Sequence, residues 1–307
     1  MNLTHLKYAV EIAQCGSINK ASEKLYVGQP NLSRAVKELE GTVGIQIFER
    51  SAKGMGLTPD GEIFIRYAKS ILKQIESVEN MFSKNATSRQ RFSVSCPCAS
   101  YIAEAFARFS FSVSEKENVE AFYKETNSMR TIKNILQDDY SLGIIRYAEN
   151  YEKYYKALML EKGLRAESIT QFSYVLAMSD KSPLAQKENV SFDDLRDYTE
   201  IAHADSFVPF LPLAEMRKEE LPDNISRRIF IFERASQFEL LSRNLKTFMW
   251  ISPVPQSLLD RYSLVQRRIP ENNRLYNDIL IHREDHALTE LDKLFIKELY
   301  SVKNELF

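Results

Sequence analysis

Apolar residues recur at helical spacing over residues 3–15, where Leu6, Ala9, Val10 and Ala13 share a face and Gly16 ends the pattern. Ser17 then offers an N-cap to a short helix, Ile18 to Leu25, with Ile18, Ala21, Ser22 and Leu25 on one side. After Tyr26-Val27-Gly28 a third helix opens with Pro30 in its first turn, where a missing N–H costs nothing. Leu32, Val36 and Leu39 point it inward and leave Gln29, Asn31, Ser33, Arg34 and Lys37 outside. A short helix, a tight turn and a second helix with a polar, basic opening make a helix-turn-helix pattern. In that geometry the second helix enters the major groove of DNA. The same periodicity also fits an antiparallel helix pair with a solvated face.

The next stretch, "GTVGIQIFERSAKGMGLTPDGE", predicts a strand from Ile45, Ile47 and Phe48 and a glycine-rich loop carrying Arg50 and Lys53. A returning Gly56-Leu57-Thr58 completes a wing, which lays cations along the phosphate backbone. Gln and Asn pair with adenine, Arg with guanine or phosphate, and Ser with either. The candidate DNA-binding set is therefore Ser17, Gln29, Pro30, Asn31, Ser33, Arg34, Lys37, Arg50 and Lys53.

Thr58 and Pro59 open a long helix in which Phe64, Ala68, Ile71, Ile75, Val78 and Phe82 follow at alternating steps of four and three. Such a heptad stripe fits a partner helix from a second copy, or packing against the helix's own domain. Residues 83–91 read as a polar linker.

From Phe92 the texture changes to alternating short strands and helices, the order of a parallel sheet covered on both faces. "RFSVSC", "VEAFYKE" and "SLGIIR" predict strands, with helices from about Ala99 to Phe109 and over "SMRTIKNILQ". "FSYVLAMS" begins a second unit, and "LYNDILIHR" with "LTELDKLFIKELYS" supplies a last strand and a terminal helix.

Composition narrows the classes. The chain has 307 residues and net charge −1, which alone speaks against a nucleic-acid binder. Residues 1–90, however, hold 12 Lys and Arg against 9 Asp and Glu, and the remainder 29 against 33. No apolar run approaches the length of a bilayer span, and Lys7 and Glu11 interrupt any leader-like pattern, so the expected location is the cytoplasm. Nine glycines, no phosphate loop, no nucleophile elbow and no metal-ligand cluster argue against an enzyme and against a cofactor. His282 and His286 lie four apart in an expected loop, a poor metal site. Cys96 and Cys98 flank Pro97 and, with Cys15, leave a redox-responsive regulator as an alternative.

The stretch "GSINKASEKLYVGQPNLSRAVKELEGTVGIQIFERSAKGMGLTPDGE" resembles the LysR-type transcriptional regulators residue by residue. Their pattern runs Val-Ser-Gln-Pro-Ala-Leu-Ser-Arg, Leu-Glu, Leu-Gly, Leu-Phe-Arg and Leu-Thr-x-x-Gly. Gly28 departs at a usual serine N-cap, and Asn31 at a common alanine. The resemblance implies a winged helix-turn-helix at 1–58, a dimerisation helix at 59–87 and an effector-binding domain at 88–307. That domain would hold two Rossmann-like subdomains resembling periplasmic binding proteins, the first over about 91–163 and 270–307 and the second over about 164–269. The chain would cross between them near 161–167 and 266–271. The resemblance further implies dimers or tetramers, double-stranded DNA, a small-molecule effector and RNA polymerase as partners. "SDKSPLA" follows the family's Asp-His-Pro-Leu-Ala with serine for histidine, whereas "NLKTFMWISP" lacks the usual glycines.

Ligands of open α/β folds sit beyond strand carboxyl ends, near helix N-termini that favour anions. The candidate effector set is Ala99, Ser100, Asn127, Ser128 and Arg146 from one subdomain, with His203 and Phe207 from the other.

Overall fold

The computed structural model describes residues 2–51, 54–82, 90–203, 225–232 and 235–307, so Lys53 and Phe207 lie outside the described residues. Contacts divide the chain into two compact units, Met1–Ser88 and Arg89–Phe307.

The first unit begins with α1 (Leu3–Cys15), capped by Asn2 and closed by Gly16 in the left-handed region at φ 61°. Ser17 caps α2 (Ile18–Leu25) by accepting from Lys20 N, and α3 spans Gln29–Val43. Leu6, Ala9, Ile12, Ala21, Leu32, Val36 and Leu39 close a single core among the three helices. The wing pairs β1 (Phe48–Ser51) with β2 (Gly54–Leu57) antiparallel. Its first strand begins later than the Ile45 expectation, because Ile47 is a fully buried core residue whose backbone N–H is taken by a side chain, not by a strand.

The long helix α4 (Pro59–Phe82) corrects part of the stripe reading. Ile65 and Ala68 belong to the core of the first unit, and Phe64, Ile71 and Leu72 pack against it. The first half of the stripe thus covers its own domain, and Ile63 and Tyr67, 47% and 67% exposed, face outward instead. The side chains of Val78 and Phe82 lie outside the described residues.

Among the described residues, the second unit holds two sheets of five strands. The first contains β3 (Gln90–Cys96), β4 (Val119–Glu125), β5 (Leu142–Ala148) and β6 (Leu164–Phe172), which are joined by α5 (Ser100–Ser114), α6 (Ser128–Gln137) and α7 (Glu152–Glu161). The second contains β7 (Val175–Ser179), β8 (Thr199–His203), β9 (Arg228–Ile231), β10 (Thr247–Ile251) and β11 (Leu264–Arg267), with α8 (Ala235–Arg243) and α9 (Gln256–Tyr262). The chain then returns through β12 (Tyr276–Arg283) and ends in α10 (Glu290–Leu306). Strand order is β4-β3-β5-β12-β6 in one sheet and β11-β7-β10-β8-β9 in the other.

Neither sheet is wholly parallel as expected. β12 runs antiparallel to both β5 and β6, and β7 runs antiparallel to β10 and β11. The crossings lie at residues 173–174 and 268–275, and the strand at 164–172 belongs to the first sheet, not the second. That strand escaped detection because "LRAESITQF" is an edge strand with four exposed residues in a row, so it lacks the alternation of a half-buried strand. The linker expected at 83–91 ends by Gln90, which already pairs with Val119.

Gly61 is where the first unit tolerates no side chain. A Cβ there would stand 2.0 Å from the Ile47 carbonyl oxygen, a backbone atom that cannot swing aside. Gly61→Ala should therefore destabilise the first unit by ~3 kcal/mol or more, at the upper end of overpacking costs. A denaturant midpoint equal to that of the parent would refute this placement.

Candidate functional sites

The opening of α3 presents one polar face. Gln29, Pro30, Asn31, Arg34 and Lys37 are exposed, and Ser33 is half-buried. Gln29 Nε2 donates to Ser33 Oγ at 3.3 Å, so these two side chains lie side by side one turn apart. Behind them Leu32, Val36 and Leu39 are buried, which fixes the rotation of the helix about its axis. Gly28 gives α3 no side-chain cap, leaving its first N–H groups without a side-chain acceptor from that position. Ser17 is engaged as the cap of α2. Arg50 pairs with Met55 in the wing ladder, and its side chain lies outside the described residues, as does Lys53.

Sequence reasoning missed Glu40. Its Oε1 accepts from Ile47 N at 2.7 Å and Phe48 N at 3.1 Å, tying the end of α3 to the start of the wing. The spacing from Glu40 to the strand carries no periodic signal, so only the fold reveals it.

In the second unit, Ala99 stands at the N-cap of α5 without a side-chain cap bond, and Ser100 follows, 7% exposed. Asn127 caps α6 by accepting from Arg130 N at 2.9 Å. His203 ends β8, opposite Ile231.

Ser128 and Arg146 carry other bonds than those expected. The Ser128 hydroxyl donates to Arg146 O at 2.6 Å and accepts from Arg146 N at 2.9 Å, which locks α6 to β5 and occupies its hydrogen. The Arg146 guanidinium is not an open fork for a carboxylate ligand. Its Nε and one terminal nitrogen donate to Asp278 Oδ1 and Oδ2 at 2.7 and 2.6 Å, across the directly paired positions of β5 and β12. Tyr101 Oη donates to the same Asp278 Oδ2 at 2.6 Å. The two charged side chains are 9% and 0% exposed. Burial alone would push the guanidinium down, but the Asp278 charge holds it well above its ordinary range. The Tyr101 phenol is raised well above its own range, first by burial and then by that carboxylate.

The rest of the Arg146 side chain sits in an aromatic cage at the crossings. Its guanidinium carbon lies 4.7 Å from the Phe172 ring centre and 5.8 Å from that of Tyr174. Tyr174 belongs to the first crossing and packs 4.3 Å, centre to centre, from Tyr276, the residue that follows the second. Asn272, from the second crossing, donates to Tyr174 O at 3.1 Å. The buried pair is thus continuous with both connections between the sheets.

Cys96 is fully buried in the core beside Val94 and Tyr101, and Cys98 is half-buried. His286 Nε2 donates to Asp292 Oδ2 at 2.9 Å. Among the described residues no three His, Cys, Asp or Glu side chains gather as metal ligands, and no helix is long and apolar enough to cross a membrane.

Residues 3–62 match the model of the bacterial regulatory helix-turn-helix protein, lysR family. Over 265 residues, 86% of this chain and 83% of the relative, the sequence is 24% identical to the HTH-type transcriptional regulator AlsR of Bacillus subtilis. It is 37% identical to the regulator BenM of Acinetobacter baylyi over 87 residues, which span only 28% of this chain and 29% of that protein. The higher identity is therefore confined to a short stretch. A full-length OxyR from Pseudomonas aeruginosa superposes over 100% of this chain and 95% of its own, with TM-score 0.60 and 16% identity. Full-length CbnR, solved with its target DNA, covers 98% and 100% with TM-score 0.54 and 17% identity. At these identities the likeness establishes a shared fold: a helix-turn-helix domain followed by a two-subdomain α/β domain.

Asp278→Ala would leave the Arg146 guanidinium buried and uncompensated, at a cost of about 3–5 kcal/mol. Replacing both, Arg146→Met with Asp278→Leu, should recover most of that stability. Urea unfolding of the full chain checks both, and a neutral Asp278→Ala would show that the pair is not what holds β5 to β12.

Proposed function

We propose that this chain, a member of the LysR-type regulators, controls transcription by reading DNA with the opening turn of α3 while a small anionic effector modulates that binding. The reading of DNA rests on one observation above the others: the apolar side of α3 is buried, so its uncapped, polar N-terminal turn is the side left to enter a groove. Gln29, Asn31, Ser33 and Arg34 take base edges in this scheme, and Lys37, Arg50 and Lys53 take phosphate. Two copies pair so that two half-sites are read about one helical turn apart. The outward Ile63 and Tyr67 of α4 supply apolar surface for that pairing. DNA and RNA polymerase as partners put the protein in the cytoplasm.

For the effector, the uncapped N-terminus of α5 with Ala99 and Ser100 is the part of the candidate set that supports an anion best, because its donors are not claimed by a side-chain cap. Arg146 and Ser128 act in this reading as the wall behind that position, with Asn127 at its edge. His203, at the end of β8, approaches from the second sheet in this reading, and Phe207 belongs to the same candidate set. An anion that binds one closure angle of the two sheets better than another shifts their equilibrium by that difference in affinity and no more.

The test uses the full chain and a duplex selected by it from a random pool. Arg34→Ala should lose ~1–3 kcal/mol at one base-pair position and relax preference there, whereas Lys37→Ala should weaken selected and unrelated duplexes alike. Arg34→Ala with unchanged affinity and preference would remove α3 from the groove.

A further inference from the structure

Tyr26 breaks two rules of folding at once. It is 97% exposed, more than any other large hydrophobic side chain among the described residues. Its backbone is also left-handed, at φ 53° and ψ 38°, where it closes α2. Glycine or asparagine usually fills that position, since an L side chain crowds the following carbonyl there. The turn is held without the ring: Tyr26 N donates to Glu23 O at 3.3 Å and Val27 N to Ser22 O at 3.1 Å. The side chain therefore adds nothing to the core, exposes an aromatic face and strains the backbone. An outlier of this kind, with no folding return, points to function.

Its position says which function. Tyr26 lies three residues before Gln29, just outside the turn of α3 that presents Gln29, Asn31 and Arg34. A residue flanking a groove-entering helix meets the strand beside the groove, not the base edges within it. Tyrosine is one of the side chains whose hydroxyl donates to phosphate oxygens and so sets register without reading sequence. We infer that Tyr26 is a positioning residue of the DNA interface, its phenol O–H donating to a backbone phosphate next to the groove that α3 enters. This rests on the reading of α3 as the helix that contacts DNA.

The assignment separates binding from stability and charge from hydrogen bonding. On full-length protein, Tyr26→Phe should weaken binding to the selected duplex and to an unrelated duplex of the same length by about the same three- to tenfold. The dependence of affinity on salt should keep its slope, because no charge is lost, in contrast to Lys37→Ala, whose slope should fall by about one. Tyr26→Gly should unfold at the same or a higher denaturant midpoint than the parent while binding DNA less tightly.

Wild-type affinity for Tyr26→Phe on both duplexes overturns the inference. So does a loss confined to one base-pair position, which would make Tyr26 a base contact. Unchanged DNA affinity with lost transcription in a purified system would also overturn it, and assign the ring to a protein partner. Arg34→Ala measured alongside keeps the failures apart. If Arg34→Ala changes preference while Tyr26→Phe changes nothing, only the Tyr26 assignment falls; if both behave as wild type, the reading of α3 falls.

Discussion

The first unit depends on what converges at the backbone of Ile47. The N–H of Ile47 is accepted by Glu40 from the end of α3, and its carbonyl oxygen accepts from Thr58 N at 3.1 Å, where the wing returns. Thr58 caps α4 by accepting from Gly61 N at 2.9 Å, and its hydroxyl donates to Gln46 O at 2.6 Å. Gly61 must be bare because that same carbonyl lies where its Cβ would be. The backbone of one residue, through the two peptide groups that flank it, therefore fixes the end of α3, the wing and the start of α4 relative to one another. Each bond to the Glu40 carboxylate is worth about 1.5–3 kcal/mol when the acceptor is charged. In the proposed reading α3 and the wing touch the same duplex, and this rigidity keeps a misplacement of either from losing contacts made by the other.

The second unit has a comparable point at Asp278. Its carboxylate joins β12 to β5 through Arg146 and to α5 through Tyr101, and the Arg146 cage reaches both crossings. A buried ion pair of this kind adds little net stability over an apolar pair of the same shape. It does fix geometry, because neither charge tolerates losing the other. In the proposed reading any hinge between the two sheets moves against this fixed element, with Arg146 and Ser128 as a rigid wall behind the uncapped end of α5 where an anion would be held.

What the sequence disclosed follows from how local each signal is. The polar face of α3, the Ser17 cap and the glycine stops are short-range and were legible as residue spacing. Glu40 was not, since its partners Ile47 and Phe48 lie seven and eight residues on with no repeating pattern between. The stripe on α4 was legible as apolar but not as to its partner, because Phe64, Ala68 and Ile71 show the same spacing against α1 as against a second copy. Arg146 was legible as a strand-end cation, and its commitment was not: Asp278 is 132 residues away, brought adjacent by the antiparallel return of β12. The strand Leu164–Phe172 was invisible because an edge strand with exposed residues on both faces has no alternation to read.

The claim that α3 and the wing act as one rigid reader of DNA is tested most directly by the sequence profile of binding. Every base pair of a duplex selected by the full-length protein is changed in turn, and affinity is measured at fixed salt. Losses of ~1–3 kcal/mol are expected, concentrated in two clusters about one helical turn apart, with near-neutral positions between them. A flat profile, with affinity set by salt and length alone, would contradict it.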